Sequence, residues 1–227
     1  MTGETKDEWN FIRAITEYST NTDNALRTPS TAEQYLNYAN TTFVLPKYSS
    51  GARAKVLNLY PLSASKSPQL AWNRVDTDSA ICNVRRLNEV LAPQVPVYAY
   101  EFADQTAPSI FPDMPGLEMR AYHTADIQYV FPLWHGGPDG IAKPLNSQQT
   151  VLSDEIVAAW ANFARTGNPN GSGNSPWPRY ATSVDTPAWL IEDLAGLSSL
   201  TDRQYSLHHH CDFWDSVSPT SESKAAP

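Results

Sequence analysis

The stretch Arg120-Ala121-Tyr122-His123-Thr124-Ala125-Asp126-Ile127-Gln128-Tyr129-Val130-Phe131 sets one histidine among small residues, directly ahead of an aromatic and β-branched run. Pro112, Pro115 and Gly116 make its approach a loop, and a loop histidine can reach a cleft. An imidazole with an ordinary pKa of about 6.5 is the commonest general base at neutral pH. Upstream, Val95-Pro96-Val97-Tyr98-Ala99-Tyr100-Glu101-Phe102 reads as the best strand of the chain, rich in β-branched and aromatic residues. His123 follows the carboxyl end of that strand, where the active sites of open α/β sheets collect.

Outward from this strand the pattern is helical. Trp9, Phe11, Ile12 and Ile15 suit one helix face, and Thr28-Pro29-Ser30 signals the start of a short helix buried through Tyr35, Leu36 and Ala39. Ala52, Val56, Leu59 and Tyr60 predict another, ended by Pro61. From Asp76 to Leu91, Ala80, Ile81, Val84, Leu87, Val90 and Leu91 recur at helical steps on a helix carrying Cys82. Arg85, Arg86 and Glu89 then read as a solvated face. Ser153 to Arg165 predicts a helix capped by Ser153, buried through Ile156, Trp160, Phe163 and Ala164, and stopped by Gly167. Ala188 to Ile191 reads as a late strand at the sheet edge. Residues 1–216 are expected to form one domain portion and 217–227 a disordered tail.

Four segments, in order, resemble the C-terminal half of type-B carboxylesterases, the family of p-nitrobenzyl esterases and cholinesterases. They are Gly3-Glu4-Thr5-Lys6-Asp7-Glu8-Trp9, the Tyr122-His123 segment, Leu152 through Asn170 with Trp177-Pro178-Arg179-Tyr180, and Cys211-Asp212-Phe213-Trp214. The resemblance implies an α/β-hydrolase fold, a mostly parallel sheet flanked by helices, with a Ser-Glu-His triad acting on small-molecule esters. Carried over, Glu8 is the acid and His123 the base. Trp9 stands where the family usually has glycine. Asp126 matches the acidic position of Y-H-x-x-[DE] and is the rival partner for the imidazole. Asp78 lies near the position of a buried family acid and also reads as a helix N-cap. The resemblance further implies a Cys82–Cys211 disulfide, where spacing alone leaves two free thiols equally open. A disulfide implies a secreted or periplasmic setting.

No serine sits in a G-x-S-x-G elbow, the strand-turn-helix context that exposes a nucleophile. The nucleophile and oxyanion hole are therefore expected in an N-terminal half outside this chain, which alone is expected to be inactive. Gly171-Ser172-Gly173 reads as a turn, and His135-Gly136-Gly137-Pro138 as a loop, because in lipases the HGG glycines precede the nucleophile.

Composition excludes several classes. With 16 Lys and Arg against 24 Asp and Glu, the net charge of −8 is wrong for nucleic acid, whose phosphates require clustered cations. No apolar run is long enough to span a bilayer, and the first residues lack a signal-peptide pattern. No cofactor motif is present. His208-His209-His210 raises a metal-binding module as a rival, but adjacent histidines diverge and no i, i+4 His pair accompanies them, so the triplet reads as a polar turn. The other rival is a catalytically silent interaction domain on the same fold.

Overall fold

The computed structural model describes residues 1–15, 30–45, 47–111, 113–114, 116–131, 143–171, 174–183 and 185–217. Strand β1 (Thr2–Thr5) pairs in parallel with β2 (Ala99–Phe102), β2 in parallel with β3 (Pro187–Glu192), and β3 antiparallel with β4 (Ser198–Thr201). Among the described residues eight α-helices accompany this sheet: α1 (Trp9–Arg13), α2 (Ala32–Thr42), α3 (Ala52–Leu59), α4 (Pro68–Leu91), α5 (Ile127–Val130), α6 (Ser147–Thr166), α7 (Asp202–His208) and α8 (Cys211–Val217).

The period-two alternation of β3 decides what each sheet face meets. Trp189 and Ile191 pack with Ile81 of α4 and Tyr205 of α7, and the Trp189 and Tyr205 rings stack 3.7 Å apart. Leu190 points the other way, into a cluster with Tyr98, Tyr100 and Ala159 of α6. Strands covered on both sides carry apolar residues on both faces, which is why β2 is apolar apart from Glu101. Gly3 is required here: a Cβ would run into the ring of Tyr100, its register partner on β2.

Several local expectations need correction. The opening residues, whose motif reads as a loop just after a sheet strand, themselves form that strand, β1, so β2 is interior and the outer side of β1 is open among the described residues. Likewise β3 lies inside the sheet, and β4 takes the edge. Helix α4 starts at Pro68, capped by the Ser67 hydroxyl, because Pro at the first position suits a helix start. Asp78 is thus in the helix interior and is no cap. Helix α6 starts six residues before Ser153: Asn146 and Gln149 form a capping box, and Ser153 instead donates to the Tyr129 carbonyl at 2.5 Å. Gly167 ends α6 at φ 75° as expected. In α2 the cap is Thr31, and Leu36 is exposed rather than buried.

The buried faces also differ from the pattern. Leu87 and Val90 are exposed, while Gln69, Asn73, Asp78 and Asn88 of α4 are buried. Ala164 is exposed, and α6 buries Leu152, Ile156 and Ala159. Arg85 is not a bystander: its guanidinium grips Asp202 at 2.6 Å and Asp215 at 3.2 Å, while Asp202 accepts from Tyr180 and Trp189. Val217 closes α8 and is buried, so it is not tail; residues 218–227 and the His135–Pro138 segment lie outside the described residues. Cys82 and Cys211 form a disulfide across 129 residues, tying α4 to α8.

Candidate active site

Glu8 and His123, 115 residues apart in the chain, meet at the carboxyl ends of β1 and β2. The hydrogen bonding of β1 to β2 continues past the strands, as Lys6 N–H donates to the Phe102 carbonyl and Asp7 N–H to the Ala121 carbonyl, at 2.9 and 2.8 Å. That last bond registers the two loops. Glu8 Oε2 lies 2.6 Å from His123 Nδ1, and Glu8 Oε1 accepts the Thr5 N–H at 2.7 Å. The Phe11 ring stands edge-on to the imidazole at 5.5 Å.

Trp9 is the first residue of α1 and its N–H donates to Thr77, so this position is helical and needs no glycine. Thr124 is strained instead. Its φ of 77° is in the left-handed region, where a β-branched side chain is a true outlier, and it directly follows His123.

Burial alone would push the Glu8 carboxyl up, but hydrogen bonds from His123, Glu4 and the Thr5 amide outweigh it and hold the pKa below its ordinary value. His123 is shifted up, first by the hydrogen bond to Glu8 and against its partial burial. The His123 side chain is 52% accessible, so the imidazole can be reached by a third group. Asp126 does not contact the imidazole. Burial and the charge of Glu8 shift its carboxyl up, so it acts on the pair through charge rather than as the hydrogen-bonded partner.

A second carboxylate–imidazole constellation escaped the sequence reading. His209 is almost wholly buried and bridges Asp78 through Nδ1 at 2.8 Å and Glu101 through Nε2 at 2.6 Å. The triplet is therefore not simply a polar turn, since its middle residue is a core pin. The signal was available in Glu101, an acid inside the most apolar strand of the chain. Among the described residues no group of His, Cys, Asp and Glu is arranged to hold a metal ion. None of the described helices is long and apolar enough to cross a membrane.

A mostly parallel sheet flanked by helices is the fold that the type-B resemblance implies, and comparison with known proteins agrees on the family. The model of the carboxylesterase family matches residues 1–214. The chain belongs to the carboxylesterase family. Its fold is that of the α/β hydrolases. Similar proteins include mouse carboxylesterase 5A, 39% identical over 90 residues, which are 37% of this chain and 15% of that protein. Human carboxylesterase 5A is 33% identical over 125 residues, 55% of this chain and 20% of that protein. Rabbit cocaine esterase is 35% identical over 95 residues, 42% of this chain and 17% of that protein. This carboxylesterase-family chain thus matches only about a fifth or less of the length of these relatives.

Proposed function

We propose that residues 1–216 are the C-terminal portion of a serine carboxylesterase domain, and that they supply the acid and base of its triad, Glu8 and His123. The observation that carries this reading is the 2.6 Å contact between two motif residues that lie 115 apart. With Nδ1–H directed at Glu8, Nε2 of the half-exposed imidazole is left unprotonated, the tautomer that a general base needs. In the proposed reaction Nε2 takes the proton of a serine hydroxyl as that oxygen attacks an ester carbonyl, forming a tetrahedral oxyanion. Glu8 stabilises the imidazolium so formed, and His123 then returns the proton to the departing alcohol. The acyl-enzyme is cleared by water activated in the same way. The serine and the oxyanion hole belong to the N-terminal half of the domain, so the 227-residue chain alone is inactive. The substrate is a small-molecule carboxylic ester, with no nucleic acid partner, and the disulfide fits a secreted or periplasmic setting.

The test joins this chain to a family N-terminal half carrying the nucleophile elbow. Hydrolysis of p-nitrophenyl butyrate should appear only in the joined protein. Glu8→Gln should lower its kcat on the order of 10⁴-fold, and His123→Ala by more. Near-normal turnover in either variant would remove the assignment, and a joined protein that folds but never acylates would favour a silent interaction domain.

A further inference from the structure

Two positions in the chain read Asn-x-Ser/Thr with no proline between, Asn40-Thr41-Thr42 and Asn170-Gly171-Ser172. That tripeptide is the acceptor pattern for N-linked glycosylation, which adds a bulky, solubilising group to a protein surface. Transfer takes place as the chain enters the secretory lumen, so the fold decides where the sugar can be housed. Asn170 houses one badly. Its oxygen accepts the Trp177 N–H at 2.8 Å, and its amide nitrogen donates to the Trp177 carbonyl at 3.1 Å and to Asn168 Oδ1 at 2.9 Å. Both amide hydrogens are used, and the Trp177 they help to hold is buried. Asn40 differs on each count. It is exposed in the last turn of α2, its oxygen accepts from Arg53 at 2.6 Å, and its nitrogen donates no hydrogen bond among the described residues. A glycosylated amide keeps its oxygen, so the Arg53 contact survives the modification.

The surface around Asn40 supports the same site. Leu36, one helical turn earlier on the same face, is 42% exposed, and Val44 and Leu45, just past the helix end, are 43% and 70% exposed. Single exposed apolar side chains are ordinary, but here they flank one acceptor tripeptide on both sides, where the apolar face of a sugar ring can cover them. Helix α2 packs with α3, α4 and α8 in a cluster that contains no residue of the sheet, so its outer surface is separate from the open side of β1. The Cys82–Cys211 bond in that cluster belongs to an oxidising lumen, the kind of compartment in which the transfer takes place. We propose that Asn40 is the acceptor of an N-linked glycan. This rests on the secreted setting proposed above. The donor is a lipid-linked oligosaccharide: Asn40 Nδ2 attacks the anomeric carbon of its terminal N-acetylglucosamine, the new C–N bond replaces the C–O bond to the lipid diphosphate, one amide proton passes to a base of the transferase, and the lipid diphosphate departs.

The experiment expresses the whole chain behind a cleavable secretion leader in yeast and maps the peptides of the recovered protein without reduction. Release of the glycan by a peptide amidase in heavy-oxygen water should mark Asn40 by a gain in mass, and the chain should run faster on a denaturing gel after the treatment. Thr42→Ala should abolish the mark, and Thr42→Ser should keep it. Unmarked Asn40 in a chain whose Cys82–Cys211 bond has formed overturns the acceptor and leaves the secreted setting in place. Unmarked Asn40 with both thiols free removes both. A mark that persists in Thr42→Ala also overturns the acceptor, because the amide has then been lost by deamidation and not by release of a sugar. Since transfer precedes folding, a variant that folds poorly is read as clearly as the wild type.

Discussion

Asp7 and Tyr122 form a parallel backbone bridge one residue ahead of Glu8 and His123. The bridge turns a side-chain contact across 115 residues into a local register problem, because once Asp7 opposes Tyr122 the next residue on each strand-end loop is a member of the pair. Asn10 secures the same junction from below. Its amide donates to the Glu118 and Met119 carbonyls at 2.9 and 3.0 Å, and its oxygen accepts from Asn73 at 2.7 Å.

Asn10→Ala should therefore remove its bonds to the Glu118 and Met119 carbonyls and the bond from Asn73, at a cost of about 1–3 kcal/mol. It should also broaden the His123 resonances, since the loop before the histidine loses its tie to α1. Urea unfolding and an NMR spectrum check both effects together. A variant with unchanged stability and a sharp His123 signal would show that the bridge alone holds the register.

The parts of the fold legible in the sequence are those decided by local pattern, namely the β2 run, the Ala52–Leu59 helix and the Gly167 stop; Glu8 and His123, named by the family resemblance rather than by pattern, are brought into contact by the fold. Helix starts were misplaced where a polar residue inside a helix imitated a cap, as Ser153 did while its hydroxyl bonded the Tyr129 carbonyl. Strand order was illegible because interior and edge positions differ only in their neighbours, and β3 and β4 are assigned by pairing. His209 was missed for a similar reason. Its partners lie 131 and 108 residues away, and no spacing rule joins them.

His209 supports a prediction with opposite pH limbs. Burial alone would push its pKa down, but the charge of Glu101 and hydrogen bonds to Asp78 and Glu101 hold it up. Its stabilising contribution is complete below the unfolded value, about 6.5, and is lost as pH rises through the higher folded value. Asp78 and Glu101 are held below their ordinary 3.8 and 4.5, against burial, by Arg74 and by His209 respectively. Their contribution is present above those values and lost as pH falls through the folded ones. His209→Gln should cost about 3–5 kcal/mol where all three charges coexist, between about pH 5 and about pH 6.5, because it takes the cation from the buried Glu101 carboxylate and leaves Asp78 to Arg74 and Tyr60 alone. Unfolding free energies measured across pH should converge with the wild type at both extremes; a constant difference would mean the imidazole is only filling space.

Breaking the disulfide should weaken the α4–α8 side without touching the candidate active site. Closing a loop of 129 residues is worth about 3–5 kcal/mol in the chain-entropy model. Paired Cys82→Ala and Cys211→Ala substitutions should lower the unfolding free energy by that amount, while the downfield proton of the His123–Glu8 hydrogen bond persists, since Glu8, His123 and their backbone bridge lie on the other loops. If the proton disappears along with the disulfide, α4 is transmitting strain to α1 through the Trp9–Thr77 bond.

Glu192 is the least comfortable residue of the sheet. It ends β3 beside Phe102, is fully buried, and neither carboxyl oxygen has a hydrogen-bond partner among the described residues. Burial, then the charge of Asp126, holds its pKa well above 4.5. Below about pH 4.5 the group is neutral in both folded and unfolded chains; above it the unfolded chain ionises while the folded chain stays protonated, so stability falls as pH climbs towards the folded value. Glu192→Leu removes both the unpaired polar group and this pH dependence. It should raise stability by about 1–3 kcal/mol from the unpaired group alone, and by more as pH rises from about 5 to about 8. Denaturant unfolding of the two proteins at both ends of that range measures the difference directly. A loss of stability in the leucine variant, equal at both pH values, would mean that the carboxyl is doing a structural job in its apolar setting and that a partner holds it there.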